Sequence, residues 1–488
     1  MTKVIVIGAG LGGISTAISL ATRGYDVQVY EKNKQIGGKL NQMQKKGFTF
    51  DLGPSILTMP QIFEKLFKEN NKKMEDYIKI RKIDLQWRAF FEDHDPIDLY
   101  DTPEKTVKAN SLKEKDLDGL KDYVDYSKKL YETTQKGYYG KGLDNLKEVL
   151  MFYGPKAITD FDYFHTMHEG VEKRINNPYL VKTIDFFIKY VGSSPYDAPA
   201  VLNQLPYIQF EYGLWYVDGG MYNLAKGLGK LMEETGVELH LNSEVTQMKQ
   251  ENGKITSIVL SDNTEQTADL FVSNMEVIPT YKKLLTEKNN KINEYEKKFE
   301  PACSGMVLHL GLDKKYPQLA HHNFFFSNNP EKHFKTVFHD KKLPEDPTIY
   351  LVASTRTDPS QAPDGCENIK ILPHIPYLQD PPFKEKDYLE LKENVLDKLE
   401  RMGLEGLREH TIVEDFWTPE RIEENYYSNK GSIYGVVSDK NKNKGFKAPK
   451  KSEFYENLYF VGGSVNPGGG MPMVTLSGQQ VSDKIQKY

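Results

Sequence analysis

Val4-Ile5-Val6-Ile7-Gly8-Ala9-Gly10-Leu11-Gly12-Gly13 opens the chain with a short β-branched run that passes straight into a G-x-G-x-x-G turn. An amphipathic segment follows over residues 11–22, and Gly24 stops it. A second apolar run, residues 27–30, ends in Glu31. The order is strand, glycine turn, helix, strand, acid. Gly8 permits the tight turn, Gly10 lets the backbone approach a pyrophosphate, and Gly13 lets the helix pack close to the sheet. The helix N-terminus offers free N–H groups and a partial positive charge to phosphates. Glu31 lies eighteen residues beyond Gly13, near the distance expected of an acid that holds a ribose hydroxyl. A bare glycine-rich turn would need neither the helix nor the acid. Ile7, Gly8, Ala9, Gly10, Leu11, Gly12, Gly13 and Glu31 are therefore predicted to bind a dinucleotide.

The chain has 488 residues, enough for two or three domains and a large core. Its hydrophobic fraction is 39% and its mean hydropathy −0.59. No run of about eighteen apolar residues occurs, so no transmembrane helix is predicted. The start of the chain shows no basic leader and no signal-type apolar region, so an intracellular protein is expected. Cys303 and Cys366 are too few for a disulfide framework or a zinc site, and no metal centre is expected. A net charge of −5 argues against nucleic acid as a partner. The 30 Tyr and 24 Phe suit ordinary packing or a long apolar tunnel.

After Glu31 come Gly37-Gly38-Lys39 and then Phe48-Thr49-Phe50-Asp51-Leu52-Gly53-Pro54-Ser55. A nicotinamide-binding unit would continue into further strand–helix repeats. A glycine pair followed by an extended segment instead resembles the extended FAD signature of amine oxidases and carotenoid desaturases. That resemblance implies FAD, with Gly38, Lys39, Gly53, Pro54 and Ser55 beside it. Lys39 stands where Arg is commoner, which keeps the charge and loses the bidentate grip. In the middle of the chain, Met221, Leu224, Leu228 and Leu231 make one helical stripe that Gly236 ends. A strand is predicted over 237–241. A meander follows over 245–249 and 255–260 about an Asn252-Gly253 turn, and a returning strand over 268–272. By resemblance, the Val245 backbone meets the adenine. Near the end, residues 458–463 read as a strand entering a glycine loop, and 474–487 as a last helix with Pro472 at its first turn. Such a turn, aimed by a helix N-terminus, can approach an isoalloxazine ring. Gly463, Met473 and Val474 join the predicted FAD residues.

The fold class expected is α/β, with a Rossmann-like FAD-binding domain that is discontinuous: 1–70, 220–290 and 450–488. The insertion 71–219 reads as largely helical and faces substrate or membrane. The insertion 291–449 reads as mixed and substrate-binding, with extended segments at 305–312 and 348–353, a helix at 386–402, and proline loops at 344–347 and 373–382.

Over essentially its whole length the chain resembles the carotenoid desaturase and oxygenase family. Four stretches support this: residues 51–60, residues 190–199, His321-His322-Asn323-Phe324-Phe325-Phe326, and residues 465–473. Sister desaturases carry Thr-His where this chain has Val465-Asn466, which tilts the resemblance toward the oxygenase branch. The resemblance implies a linear thirty-carbon carotenoid whose terminal methyl is oxidised to an aldehyde in a staphyloxanthin-like pigment pathway, with dioxygen consumed. A desaturase acting on dehydrosqualene is the alternative. An amine oxidase would need polar substrate recognition, and no Cys stands in the C-terminal glycine loop for covalent flavin attachment. A lipid-binding escort without redox chemistry would not need an FAD signature at both ends of the chain.

So apolar a substrate has to be drawn from a bilayer. A protein held peripherally on the cytoplasmic side of a membrane is therefore expected. Residues 146–153, with Lys156 nearby, fit an interfacial helix; packing of that helix on the core is the favoured reading. His321 and His322 are expected to be packed or surface residues, pointing oppositely on a strand. Asp197 fits a tunnel contact or a turn. Trp215 is expected to pack where the chain re-enters the flavin domain. Thr418 and Pro419 should start a helix. No catalytic side chain is predicted.

Overall fold

A computed structural model describes residues 1–286 and 290–486. Its base is a parallel sheet of β1 (Lys3–Ile7), β2 (Asp26–Tyr30), β3 (Glu238–His240), β4 (Leu270–Ser273) and β5 (Leu458–Phe460), in the order β5-β4-β1-β2-β3. β1 lies at the centre, paired in parallel with β2 and β4. Val4, Ile5 and Val6 are wholly buried, as the apolar run requires of a strand covered on both faces.

Helix α1 (Leu11–Thr22) follows β1, α2 (Tyr222–Glu234) precedes β3, and α3 (Met471–Ile485) follows β5. α1 and α3 pack along each other. A Cβ at Gly478 would stand 2.6 Å from the Gly12 carbonyl oxygen, so only glycine lets these helices meet so closely. α3 begins at Met471, earlier than the stripe suggests, and takes Pro472 into its first turn. Its predicted end at Lys487 lies outside the described residues. The meander forms as an antiparallel sheet of Val245–Glu251, Lys254–Leu260 and Glu265–Thr267. Asn252 and Gly253, at φ +49° and +77°, turn its first hairpin. The third meander strand is too short and polar to register as a period.

The second layer is an eight-stranded mixed sheet. Its order runs Thr411–Trp417, Val307–Leu312, Glu367–Ile375, Ile349–Val352, His322–Phe325, Trp87–Phe90 and Ile97–Leu99, with Ser304–Gly305 paired to Glu367–Ile375. Residues 71–219 do hold helices, among them Glu114–Thr134, yet they also supply Trp87–Phe90 and Ile97–Leu99 to this sheet. Those strands are only three or four residues long, too short for alternation to outweigh the helical text around them. Pro373, expected in a loop, pairs with Ile349 inside the sheet.

A buried ionic tie joins the helical part to the C-terminal loop. Lys450 is wholly buried and pairs with Asp144, which Lys484 also reaches at 3.1 Å. Asn466 completes the knot: its amide donates to the Asp144 carbonyl at 3.0 Å, and its oxygen accepts from the Lys447 N–H at 2.9 Å and the Tyr138 hydroxyl at 3.1 Å. No helix among the described residues is long and apolar enough to cross a membrane. Removing Asp144 strands the Lys450 ammonium in a dry site. Asp144→Ala is predicted to cost about 3–5 kcal/mol, measured by urea unfolding.

Candidate flavin and substrate site

The glycine turn is built by close backbone approach. Gly8 sits at φ +94°, a conformation most side chains avoid. Its N–H donates to the Tyr30 carbonyl at 2.8 Å, which fixes the turn to β2. A Cβ at Gly13 would lie 2.1 Å from the Gly8 carbonyl oxygen. Gly38 passes the same turn from the other side, its own Cβ position 3.3 Å from Gly10 Cα, and the Gly37 N–H donates to the Ala9 carbonyl at 2.7 Å. A larger residue at these crossings would meet backbone and push the turn, helix and loop apart.

Glu31 is buried at the end of β2. Its Oε2 accepts the Ala9 N–H at 2.8 Å, and its Oε1 accepts from the Asn33 backbone and side chain at 2.9 and 3.0 Å. Three of about four acceptor positions are thus filled, leaving one for a ribose hydroxyl. Asn274, just past β4, accepts the Gly13 N–H at 2.9 Å through Oδ1. Its side chain stands over Gly10 and Gly12.

These groups open onto one cavity of about 350 Å³ between the parallel sheet and the mixed sheet. Ile7, Gly8, Gly10, Leu11, Gly12, Glu31, Gly38, Lys39, Gly53, Pro54, Ser55, Val245, Gly463 and Val474 all line it. Ala9 and Gly13 stand behind that lining, one holding Glu31 and the other Asn274. Met473 does not line it; it packs among Tyr131, Tyr207 and Ile208 on the far side of α3. Its neighbour Val474, one residue on, takes the inward position. Lys39 reaches Glu276 at 3.3 Å and the Ser432 carbonyl at 2.9 Å, so its charge is held by protein at the cavity edge.

The opposite wall comes from the mixed sheet and the turn Phe186–Val191. Lys370 reaches across it and holds the Asp51–Ser55 segment. Its ammonium donates to the Gly53 carbonyl at 2.6 Å, the Asp51 carbonyl at 3.3 Å and the Ser55 hydroxyl. Burial lowers this amine to about 8, and the Asp51 carboxylate works against that fall. Asp51 is itself raised by burial and accepts the Met221 N–H at 3.0 Å. Gly53 can only be glycine, since its Cβ would stand 1.7 Å from the Lys39 carbonyl oxygen. Tyr190, Tyr350, Tyr434, Leu372 and Trp417 complete the wall.

Several of these groups escaped the sequence reading. Lys370 is a lone cation within the apolar strand Glu-Asn-Ile-Lys-Ile-Leu, and Lys189 interrupts Phe-Phe-Ile-Lys-Tyr-Val; both patterns were signals. Asn274 gave none. His321 and His322 are buried, and their rings lie 4.4 Å apart rather than on opposite faces, because His321 precedes the strand. His321 bonds Thr357 at 2.7 Å and His322 bonds Tyr350 at 2.9 Å. Burial drops His321 to about 3. Asp197 meets His339 at 2.9 Å and does not line the cavity. Trp215 donates to the Tyr212 carbonyl at 2.7 Å. Thr418 and Pro419 do start the helix Pro419–Tyr426. Asn466 belongs to the buried tie and does not line the cavity.

A glycine cradle against a parallel sheet, an acid at the end of β2 and a second sheet closing the cavity define a dinucleotide-binding oxidoreductase fold of the flavin class. The chain belongs to the flavin-containing amine oxidoreductase family, whose profile matches residues 11–486. It is 56% identical over 488 residues to 4,4'-diaponeurosporene oxygenase of Staphylococcus aureus strain USA300, covering 99% of this chain and 98% of that one. Among solved structures, an oxidoreductase from Methanosarcina mazei has a TM-score of 0.66 at 16% identity and covers 99% of this chain and 100% of its own. A putrescine oxidase bound to putrescine has a TM-score of 0.64 at 12% identity, covering 100% and 99%. Those two structures share the fold. The protein is an FAD-dependent oxidoreductase.

Gly13→Val drives a side chain into the Gly8 carbonyl and is predicted to abolish flavin retention. The variant should purify colourless and stay so after incubation with FAD, read as the ratio of flavin to protein absorbance. Lys370→Met frees the Asp51–Ser55 segment from the three hydrogen bonds its ammonium donates and, through the loosened segment, is predicted to weaken FAD about tenfold, by fluorescence titration of the flavin-stripped protein.

Proposed function

We propose that this chain oxidises the terminal methyl group of a linear thirty-carbon carotenoid, 4,4'-diaponeurosporene or diapolycopene, to an aldehyde in a staphyloxanthin-like pigment pathway. The observation that carries this reading is the 56% identity to a 4,4'-diaponeurosporene oxygenase along nearly the whole of both chains. FAD, when bound, supplies the redox chemistry and can activate dioxygen. Its holders would be the Gly8–Gly13 turn, Glu31, Gly38, Lys39, Val245 and the Gly463 and Val474 region. The chain's own task is then to hold a polyene against that site and keep water out. The Tyr190, Tyr350, Tyr434 and Trp417 wall suits a flat conjugated chain better than a polar amine.

The substrate also sets where the protein works. At about 0.8 kcal/mol for each carbon removed from water, passing a thirty-carbon chain through the cytosol costs on the order of 20 kcal/mol. Collection from a bilayer avoids that barrier, and the protein docks peripherally on its cytoplasmic side. The helix Leu146–Tyr153 and the segment after it offer a face for such docking. Val149 is buried and Leu146, Leu150 and Tyr153 are half-buried, so one face packs on the protein, while Met151 and Phe152 are left on the other. Met151 is 77% exposed, Phe152 45% and, a short way on, Phe164 68%. Lys147 and Lys156 flank the patch and would meet anionic headgroups.

Expression alongside enzymes that make 4,4'-diaponeurosporene, under labelled dioxygen, tests the reaction. An aldehyde with the label in its oxygen is expected in the extracted pigments; loss of hydrogens without oxygen would make the chain a desaturase. Flotation with anionic liposomes tests the docking. Wild type is expected to float, and a Met151→Ser, Phe152→Ser, Phe164→Ser variant to stay in the soluble fraction.

A further inference from the structure

Four cations line the cavity: Lys32, Lys39, Lys189 and Lys370. Three are engaged by protein. Lys32 donates to the Glu424 carbonyl at 2.9 Å, Lys39 to Ser432 and Glu276, and Lys370 to the Asp51–Ser55 segment. Lys189 has no hydrogen-bond acceptor and no carboxylate partner among the described residues. It is only 4% exposed. Its Nζ instead stands over four rings, 4.1 Å from the centroid of Tyr350, 4.7 Å from Tyr190, 4.9 Å from Phe324 and 5.1 Å from Trp87. The charge that acts on it is that of Lys370, another cation, and burial pushes the amine well below the ordinary lysine range.

An amine placed so costs stability unless something completes it. The neighbouring hydroxyls are turned to other partners, Tyr190 donating to Gln209, Tyr350 bonding His322 at 2.9 Å and Tyr434 bonding His374 at 3.3 Å, and Nζ meets the faces of the Tyr190 and Tyr350 rings, not their oxygens. The missing acceptor therefore comes with a ligand. The flavin assigned to the same cavity is one source of an acceptor; the other is a substrate, which beside four aromatic rings would be otherwise apolar and flat, and titration with flavin already bound separates the two. A hydrocarbon polyene brings no such atom. The same polyene after oxidation at its end brings one, the new oxygen.

We infer that Lys189 is a recognition group for the oxygenated end of the polyene, its Nζ donating a hydrogen bond to the hydroxyl or carbonyl oxygen on the terminal carbon. This rests on the carotenoid reading of the cavity given above. Its consequence is retention: a chain oxidised only to the alcohol is held for the next oxidation instead of returning to the bilayer.

The test uses flavin-loaded wild type and Lys189→Met, each titrated in detergent micelles with a thirty-carbon polyene aldehyde and with its parent hydrocarbon. The preference for aldehyde over hydrocarbon, taken as the ratio of the two affinities within each protein, is expected to be about tenfold greater in wild type than in the variant. The visible band of the bound aldehyde should lie further to the red in wild type, since the hydrogen bond draws electron density to the carbonyl. The infrared carbonyl stretch of the aldehyde in wild type should fall below its value in hexane, a readout that needs no variant. An equal preference in the two proteins with an unshifted carbonyl overturns the inference and leaves the carotenoid reading standing. Failure of both polyenes to bind either protein overturns both.

Discussion

The structure depends on one constraint, the contact of bare backbone with bare backbone around the first glycine turn. Gly8 and Gly13 meet within the turn, Gly38 crosses it, and Gly478 lets α3 close over α1. A side chain at any of these points would separate elements far apart in sequence. The same crowding that packs strand, helix and loop brings backbone N–H groups and a helix terminus to the cavity. A binding surface for phosphate is thus a by-product of how closely the core can be assembled.

From that contact the rest of the site is placed by long-range ties. Asn274 fixes the turn from β4, and Lys370 fixes the Asp51–Ser55 segment from the mixed sheet. Lys370 spans the two layers, so flavin side and substrate side are set in register by one buried ammonium. The knot of Asp144, Lys450 and Asn466 does the same for the helical part. Asn466, part of the Val465-Asn466 departure from sister desaturases, reaches the chemistry only through that packing. It anchors the loop next to Tyr138, and so the base of the region that exposes Met151 and Phe152.

What the sequence disclosed follows the range of the forces involved. The strand, turn, helix and acid of residues 4–31 were legible because they are local and steric, and the meander because Asn252-Gly253 has few other uses. Lys189 and Lys370 stood out of apolar runs, yet their roles depend on partners hundreds of residues away or on a ligand. Asn274 offered no pattern at all. The resemblance sets both Met473 and Val474 beside the flavin, and the helical rotation of α3 turns only Val474 to the cavity and Met473 away from it. The two short strands at Trp87–Phe90 and Ile97–Leu99 exist because the edge of the mixed sheet accepts them, which no local propensity records.

An experimental structure of the flavin-loaded protein with a bound thirty-carbon polyene tests the account most directly. It should place FAD along the Gly8–Gly13 turn, Glu31 and Val245, with the polyene against Tyr190, Tyr350 and Tyr434 in the same cavity. A polyene bound elsewhere on the protein, or a flavin that does not share its cavity, would contradict the account.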